Sequence, residues 1–274
     1  MSRLGVDVTS INREVMMLFK KYQKSHKSLT IIPMQYDKLA YRPEILFIGL
    51  NPSFDEKKNG ARIAKFWNDN SGRWGTTQSL VSKIYKLENI HSASPRDIFQ
   101  IKHAQRLAKE FYPYFKPLRD FAKKKKAGNL LLWKPGKAFQ SNQKFWEHID
   151  LFFERRTNSR DLDSLKSFET TDGNFVFDQV SLTCRIIKRI KPHNIVILSG
   201  RGSDLFQKYC SLWMKYVPKL NCREIKFENM ATCRVFYSIQ WFRHRNDAQL
   251  QRINGDKKHI LKNLSITSRI RLSR

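Results

Sequence analysis

Paired cysteines, long apolar runs and acidic residues are all scarce in this sequence, and each scarcity excludes a class of protein. The four cysteines form no C-x-x-C pair and show none of the spacings typical of zinc or iron–sulfur sites. They are Cys184, Cys210, Cys222 and Cys233. We therefore expect reduced thiols, no metal and no cofactor.

No stretch approaches the roughly 18 apolar residues of a membrane span, and residues 1–10 lack the features of a secretion signal. The expected compartment is cytoplasmic, in association with a nucleoid, or nuclear.

Acidic residues are few beside basic ones, since 24 Asp and Glu stand against 52 Lys and Arg and leave a formal net charge of +28. Solubility alone needs a net charge of only about 2 to 8 on a small domain. A membrane surface is a second possible partner, but no single amphipathic helix carries the basic residues. The charge therefore predicts a nucleic acid as the polyanionic partner.

The apolar content, at 41% hydrophobic and 12% aromatic residues, excludes a chain that is disordered throughout. The 274 residues suffice for a single α/β domain with one core. We expect a monomer with one domain over residues 1–274. Its core would span about 41–250, with a helical extension over 1–40 and a basic tail over 251–274.

Hydrophobic periodicity predicts strands that alternate with helices. Apolar residues recur at helical spacing over 8–24, with Thr9 or Ser10 as the cap, and over 177–190. Four short apolar runs predict buried strands at 44–50, 129–133, 194–198 and 232–239. Further helices are predicted over 79–87, 103–112 and after residue 203. The pattern indicates an α/β fold with a central, mostly parallel four-stranded sheet flanked by helices, whose ligand sites lie beyond the carboxyl ends of the strands.

The turn after the first predicted strand carries the most specific motif. The segment Gly49-Leu50-Asn51-Pro52-Ser53 follows the apolar run 45–48 and resembles the first motif of the uracil-DNA glycosylase superfamily. Its mismatch-specific branch has a strand that ends in Gly-x-Asn-Pro. Segments 192–201 and 235–246 are similar to the penultimate strand and to the final strand with its DNA-inserting loop. The resemblance spans roughly residues 41–247 and implies the fold of that family and excision of a base from DNA.

The resemblance also implies that Asn51 orients a water molecule toward the anomeric carbon of an extruded nucleotide. An amide cannot accept a full proton at neutral pH, so the implied mechanism is dissociative and positioned groups stabilise the developing charge. The alternative is that Asn51 only stabilises the turn before Pro52. The expected substrate contacts nearby are Gly49, Pro52, Ser53 and Phe54. Phe54 offers a face for base stacking, for which Phe66 and Trp67 are rivals.

The loop after the fourth predicted strand, residues 240–246, is both aromatic and basic. Family members use a His or Asn here to stabilise the oxyanion of the departing base, which implies a catalytic role for His244. Counting from the strand end places Gln240 there instead, and an exposed histidine without a role is the third alternative. The residues of this loop expected to contact DNA are Trp241, Phe242, Arg243 and Arg245.

The turn from residue 199 to 203 consists of small residues and Arg201 at the start of a predicted helix. Backbone N–H groups at such a helix start bind phosphate, so Ser199 and Arg201 are candidate DNA contacts. Turns of this kind also form only to let a helix pack closely on a strand.

The sequence does not identify the base that would be excised. Family members that recognise uracil commonly end the second strand in an Asn, whereas Trp133 ends the second predicted strand here and donates only one hydrogen bond. A bulky modified cytosine, such as the glucosylated hydroxymethylcytosine of some phage genomes, is therefore one expectation, as in bacterial antiviral members. Uracil or mismatch repair and a catalytically inactive DNA-binding module are the alternatives. A nuclease is less favoured, because Asp55 and Glu56 are adjacent loop residues and do not make a two-metal site.

Overall fold

The structure is a computed structural model that describes residues 5–24, 33, 35–36, 38–50, 115–128, 145–153, 169–170, 173–228, 232–241 and 246–264. The helices are α1 (Val8–Gln23), α2 (Lys116–Gly128), α3 (Phe175–Ile190), α4 (Gly200–Cys210) and α5 (Asp247–Asn263). The strands are β1 (Gly5–Val6), β2 (Leu39–Ala40), β3 (Ile45–Gly49), β4 (Trp146–Asp150), β5 (Glu169–Thr170), β6 (Gly173–Asn174), β7 (Asn194–Leu198), β8 (Met214–Val217), β9 (Cys222–Ile225) and β10 (Cys233–Ser238). Short 3₁₀ turns occupy Ser211–Trp213 and Pro218–Leu220.

A six-stranded sheet in the order β4-β3-β7-β10-β9-β8 forms the centre of the fold. The first four strands of that order are parallel to one another. Strands β9 and β8 continue the sheet in antiparallel pairing. The chain is therefore α/β with a mixed sheet, and the four parallel strands end at one common edge.

Helices cover both faces of the sheet, which explains why its central strands are almost wholly apolar. All five residues of β3 and of β7 are buried. Alternate residues enter two separate cores: Leu46 and Ile48 pack with residues of α1, α3 and α4, while Ile45 and Phe47 pack with residues of α2 and α5. Burial of each large apolar side chain contributes roughly 1.5–3 kcal/mol.

The prediction of a four-stranded sheet was wrong in strand number and direction. The strands expected at 44–50, 194–198 and 232–239 are confirmed as β3, β7 and β10, within one residue at each end. The strand expected at 129–133 lies outside the described residues, as do the helices expected at 79–87 and 103–112. Strand β4 carries three ionisable residues among five, and β8 and β9 each have charged or exposed residues at their two middle positions, so none of the three forms an apolar run.

The helices at the two ends of the chain are parts of the packed body. Helix α1 is confirmed, but its cap is Asp7, which accepts a hydrogen bond from Thr9 N. It places Ile11, Val15 and Phe19 in the core. The expected basic tail over 251–274 begins inside α5, and Ile253 and Ile260 of that helix are buried. Within the described part of the chain, no helix combines the length and the apolar character that a membrane crossing requires.

Candidate functional site

The four parallel strands bring Gly49, Asp150, Leu198 and Ser238 to the same edge of the sheet. From β3 the chain reaches β4 on one side of β3, and it later places β7 on the other side. Strand order therefore reverses between β3 and β7. In open α/β sheets a crevice forms outside the carboxyl ends of the strands at such a switch point and holds the ligand. The predicted motif begins at this point.

Asp150 ends β4 beside this point, and its side chain is only 8% exposed. His148, two residues earlier on the same face of the strand, is equally enclosed and packs its ring 5.2 Å from that of Phe115. The distance from His148 Nε2 to Asp150 Oδ1 is 3.9 Å, so the two side chains form an ion pair only when His148 is protonated. A buried carboxylate and an imidazole thus lie together at the ligand edge of the sheet.

Gly49 makes room for the Asp150 carboxylate. The two residues are register partners in the paired strands. A Cβ atom on Gly49 would collide with Asp150 Oδ1 and would lie 3.1 Å from His148 Nε2. The glycine of the Gly-x-Asn-Pro motif is therefore required by close approach of this side chain, which gives a physical reason for its place in the predicted site.

Gly49→Ala is expected to lower the free energy of unfolding by about 1–3 kcal/mol, because the added methyl overpacks a confined carboxylate. Gly200→Ala is the matched control, since its Cβ would meet no atom within 4 Å. That variant should keep or slightly raise stability, by up to about 1 kcal/mol, because alanine favours the helix more than glycine. Urea unfolding of both variants measures the difference. Equal effects would contradict the close-approach explanation.

The chain immediately after Asp150 is held on both sides by hydrogen bonds. Leu151 N donates to Gly49 O at 2.9 Å, and Phe152 N donates to Leu50 O at 3.0 Å. On helix α3, Gln179 Oε1 accepts from Phe153 N and Thr183 Oγ1 donates to Leu151 O, both at 2.9 Å. These bonds satisfy buried polar groups that would otherwise destabilise the fold. They fix Asp150 and Leu50, the residue before Asn51, in one rigid unit.

Tyr36 lies close to the carboxylates of Asp150 and Glu147. Burial raises the pKa of Tyr36 well above its ordinary value, and the negative charges of Asp150 and Glu147 raise it further. Asn12 of α1 fixes the tyrosine backbone, donating to Tyr36 O at 2.7 Å and accepting from Tyr36 N at 2.8 Å. Tyr36 therefore keeps its proton and stays neutral beside Asp150. Glu147 points to the other face and accepts from Ala40 N, which ties β2 to the sheet.

Helix α4 begins at the other side of the switch point. Ser199 Oγ accepts from Gly202 N at 3.0 Å and caps the helix, and Ser203 Oγ donates to Ser199 O at 2.7 Å. A Cβ on Gly202 would lie 3.1 Å from the Ser199 side chain and 3.6 Å from Leu50 Cδ1. The small residues thus serve close packing, while the helix N-terminus still lies at the ligand edge beside Leu50. Arg201 in this first turn is half-buried.

At the end of β10, Trp241 is a core residue. It is 4% exposed, and its ring centroid lies 4.9 Å from that of Phe121 and 5.8 Å from that of Phe47. Its Nε1 donates to Ser238 Oγ at 2.8 Å, and Ser238 Oγ donates to Asp256 Oδ2 of α5 at 2.6 Å. Trp241 was expected to contact DNA, but in this geometry it anchors the start of the loop. Gln240 is exposed.

The structure thus places Gly49, Ser199 and Arg201 at the same edge of the sheet, and it adds Asp150 and His148, which the sequence analysis missed. The signal available was a single aspartate between the apolar residues 149 and 151–153. The other expected site residues lie outside the described residues; they are Asn51, Pro52, Ser53, Phe54, Trp133, Phe242, Arg243, His244 and Arg245.

Neither a metal site nor a similar protein indicates what the site does. Within the described ranges, no group of three or more His, Cys, Asp or Glu side chains is placed to hold a metal ion. The four cysteines are buried free thiols. No protein-family model matches the sequence, and no curated protein is similar to it at a significant level. Function must therefore be argued from the site.

Proposed function

We propose that this protein is a DNA glycosylase that extrudes a nucleotide, hydrolyses its N-glycosidic bond and leaves an abasic site. One observation carries most of the argument: Gly49, the first residue of the Gly49-Leu50-Asn51-Pro52 motif, ends β3 at the switch point of the sheet and leaves no room for a Cβ beside the buried Asp150. A motif that resembles a base-excision loop therefore starts where the topology favours ligand binding.

We infer that the partner is DNA from the positive charge of the chain. A net charge of +28 needs a polyanion, and the N-terminus of α4 presents backbone N–H groups at the same edge of the sheet. Phosphate contacts of this kind fix the register of a strand without reading its sequence. Base selection then falls to side chains in the crevice.

The chemistry we propose is dissociative. Asn51 orients the attacking water, and the glycosidic bond lengthens before the water adds to the cationic sugar. Phe54 stacks on the extruded base. His244 or Gln240 stabilises the negative charge on the departing base.

For the target, we propose a cytosine derivative, with glucosylated hydroxymethylcytosine and antiviral defence as the specific case. An ionised Asp150 only accepts hydrogen bonds. Cytosine presents its N4 amino group as a donor, which a carboxylate accepts, whereas uracil presents a carbonyl oxygen at that position. Asp150 ends β4, the strand that pairs with β3, so its side chain lies beside the start of the motif. The resemblance gives the base-reading position to Trp133, and Asp150 is a second candidate that we propose from its place at this edge.

Asp150→Asn is expected to shift the preference from cytosine derivatives toward uracil by roughly 5- to 150-fold, because the amide adds a donor for the uracil carbonyl. The factor corresponds to about 1–3 kcal/mol of discrimination per base contact. The ratio of single-turnover cleavage rates on the two DNAs measures it. Ser238→Ala is a control at the same edge, and it should leave the ratio unchanged. An unchanged ratio in Asp150→Asn would remove this residue from base selection.

The test of the overall proposal is direct. The protein is incubated with DNAs that carry uracil, mismatched thymine or glucosylated hydroxymethylcytosine, and the strands are treated with alkali to reveal abasic sites. We expect cleavage of the modified cytosine, undiminished by a metal chelator. Cleavage of uracil DNA alone would support repair instead. If no substrate yields abasic sites while DNA is bound, an inactive DNA-binding module is the correct description.

A further inference from the structure

A cleft of about 810 Å³ lies between α2 and α5, on the face of the sheet opposite α1, α3 and α4. Four lysines from two different helices line it, together with one acidic residue and an apolar floor. Those that matter here are Lys116, Lys123, Lys257, Lys258, Asp120 and Leu261. We call this the lysine cleft. Its lining residues do not include those at the carboxyl ends of the parallel strands, namely Gly49, Leu50, Asp150 and Ser199.

The single carboxylate of the lysine cleft is already engaged. Lys116 Nζ lies 2.5 Å from Asp120 Oδ2, one helical turn away. The hydrogen bond from Lys116 lowers the pKa of Asp120 against the opposing effect of burial, and the positive charges of Lys116, Lys123 and Arg119 lower it further. Asp120 therefore remains ionised and cancels one lysine. With Lys123, Lys257 and Lys258, the lining of the lysine cleft carries a net charge of +3.

These three lysines differ in how they are held. Lys257 Nζ lies 5.0 Å from the ring centroid of the buried Trp241, an arrangement that restrains the side chain. Lys123 and Lys258 are exposed, and neither forms an ion pair or hydrogen bond within the described part of the chain. The lining holds more lysines than carboxylates, and such an excess of positive charge on a concave surface attracts an anionic ligand.

We propose that the lysine cleft binds the phosphodiester backbone of a nucleic acid strand, separately from the excision site. Lys123 comes from α2 and Lys258 from α5, so the two exposed lysines lie on opposite walls of the cleft. A cleft of about 810 Å³ with an excess of lysines on both walls is larger than one small anion needs, and it fits a chain of phosphates. The proposal rests on DNA being the partner in the proposed function but not on base excision.

The test compares two double variants with the same loss of charge. Lys123→Gln with Lys258→Gln removes the two exposed lysines of the lysine cleft. Lys215→Gln with Lys219→Gln removes two exposed lysines at the other end of the sheet, on β8 and the turn after it. DNA affinity is measured by fluorescence anisotropy over a series of salt concentrations, with single-stranded and duplex probes.

Each lost phosphate contact lowers the slope of log affinity against log salt by about 0.7 for a single strand and 0.9 for duplex DNA. We expect the cleft pair to lower the slope by about 1.4 or 1.8, respectively, and the control pair to lower it by less than half as much. Equal slopes for the two pairs would overturn the proposal. Saturable binding of inorganic phosphate that the cleft pair abolishes would also overturn it, in favour of a small-anion site.

Base release separates this proposal from the proposed function. With DNA at saturating concentration, the control pair should form abasic sites at the rate of the parent protein. If no variant forms abasic sites but the slopes differ as expected, excision is wrong and the lysine cleft stands. If abasic sites form and the slopes agree, the lysine cleft is wrong and excision stands.

Discussion

Asn51→Ala is expected to slow base release by roughly 10²- to 10⁴-fold while DNA affinity stays unchanged, because the variant removes the group that positions the attacking water. Asn51 follows Leu50, whose carbonyl oxygen accepts from Phe152 N and whose side chain lies beside the first turn of α4. Leu50, the residue before Asn51, is therefore held by β4 and α4 at the switch point. Single-turnover formation of alkali-labile sites, with enzyme in excess, measures the rate of the chemical step.

Two further variants make this result specific. Gln251→Ala removes a similar amide from an exposed position on α5 and should leave the rate unchanged. Asn51→Asp keeps an oxygen that accepts a hydrogen bond from water and should retain more activity than Asn51→Ala. A rate that does not change in Asn51→Ala, with intact folding, would assign the residue to the turn before Pro52 alone.

The central strands could be predicted from the sequence because burial on both faces of a sheet selects an unbroken apolar run. That rule identified β3, β7 and β10. It could not identify β4, since Glu147, His148 and Asp150 are buried polar residues. Glu147 accepts a hydrogen bond from Ala40 N, His148 packs against Phe115, and Asp150 fills the space beside the missing side chain of Gly49. Those partners are distant in sequence and become visible only when the chain is folded.

The candidate site was predictable to a similar extent. The motif after β3 could be read from the sequence, and its position at the switch point follows from strand order. Asp150 could not be identified as its neighbour, because parallel pairing of β3 with β4 joins residues about a hundred positions apart. For Trp241 the sequence suggested a role that its burial does not favour. An aromatic residue in a basic loop suggests DNA contact, but Trp241 is buried because it packs against Phe47 and Phe121 from two other elements.

Trp241→Ala is expected to lower the free energy of unfolding by about 3–5 kcal/mol, which is the usual effect of removing a buried aromatic side chain. The variant loses ring contacts with Phe47 of β3 and Phe121 of α2, and it leaves Ser238 Oγ without the indole donor. Trp241 thus joins the sheet to α2, and its bond through Ser238 extends to Asp256 of α5. Guanidinium unfolding measures the loss.

Trp241→Phe separates the packing of the ring from its hydrogen bond. Phenylalanine keeps one aromatic ring and loses the pyrrole ring together with its N–H donor, so the expected loss of stability is smaller than for alanine, at about 1–3 kcal/mol. Because Trp241 is 4% exposed, the DNA affinity of the folded variant should equal that of the parent protein. If Trp241→Ala instead kept its stability and bound DNA more weakly, the ring would act in DNA contact, as the loop composition first suggested. The lysine cleft would then lose the support that Trp241 gives to Lys257.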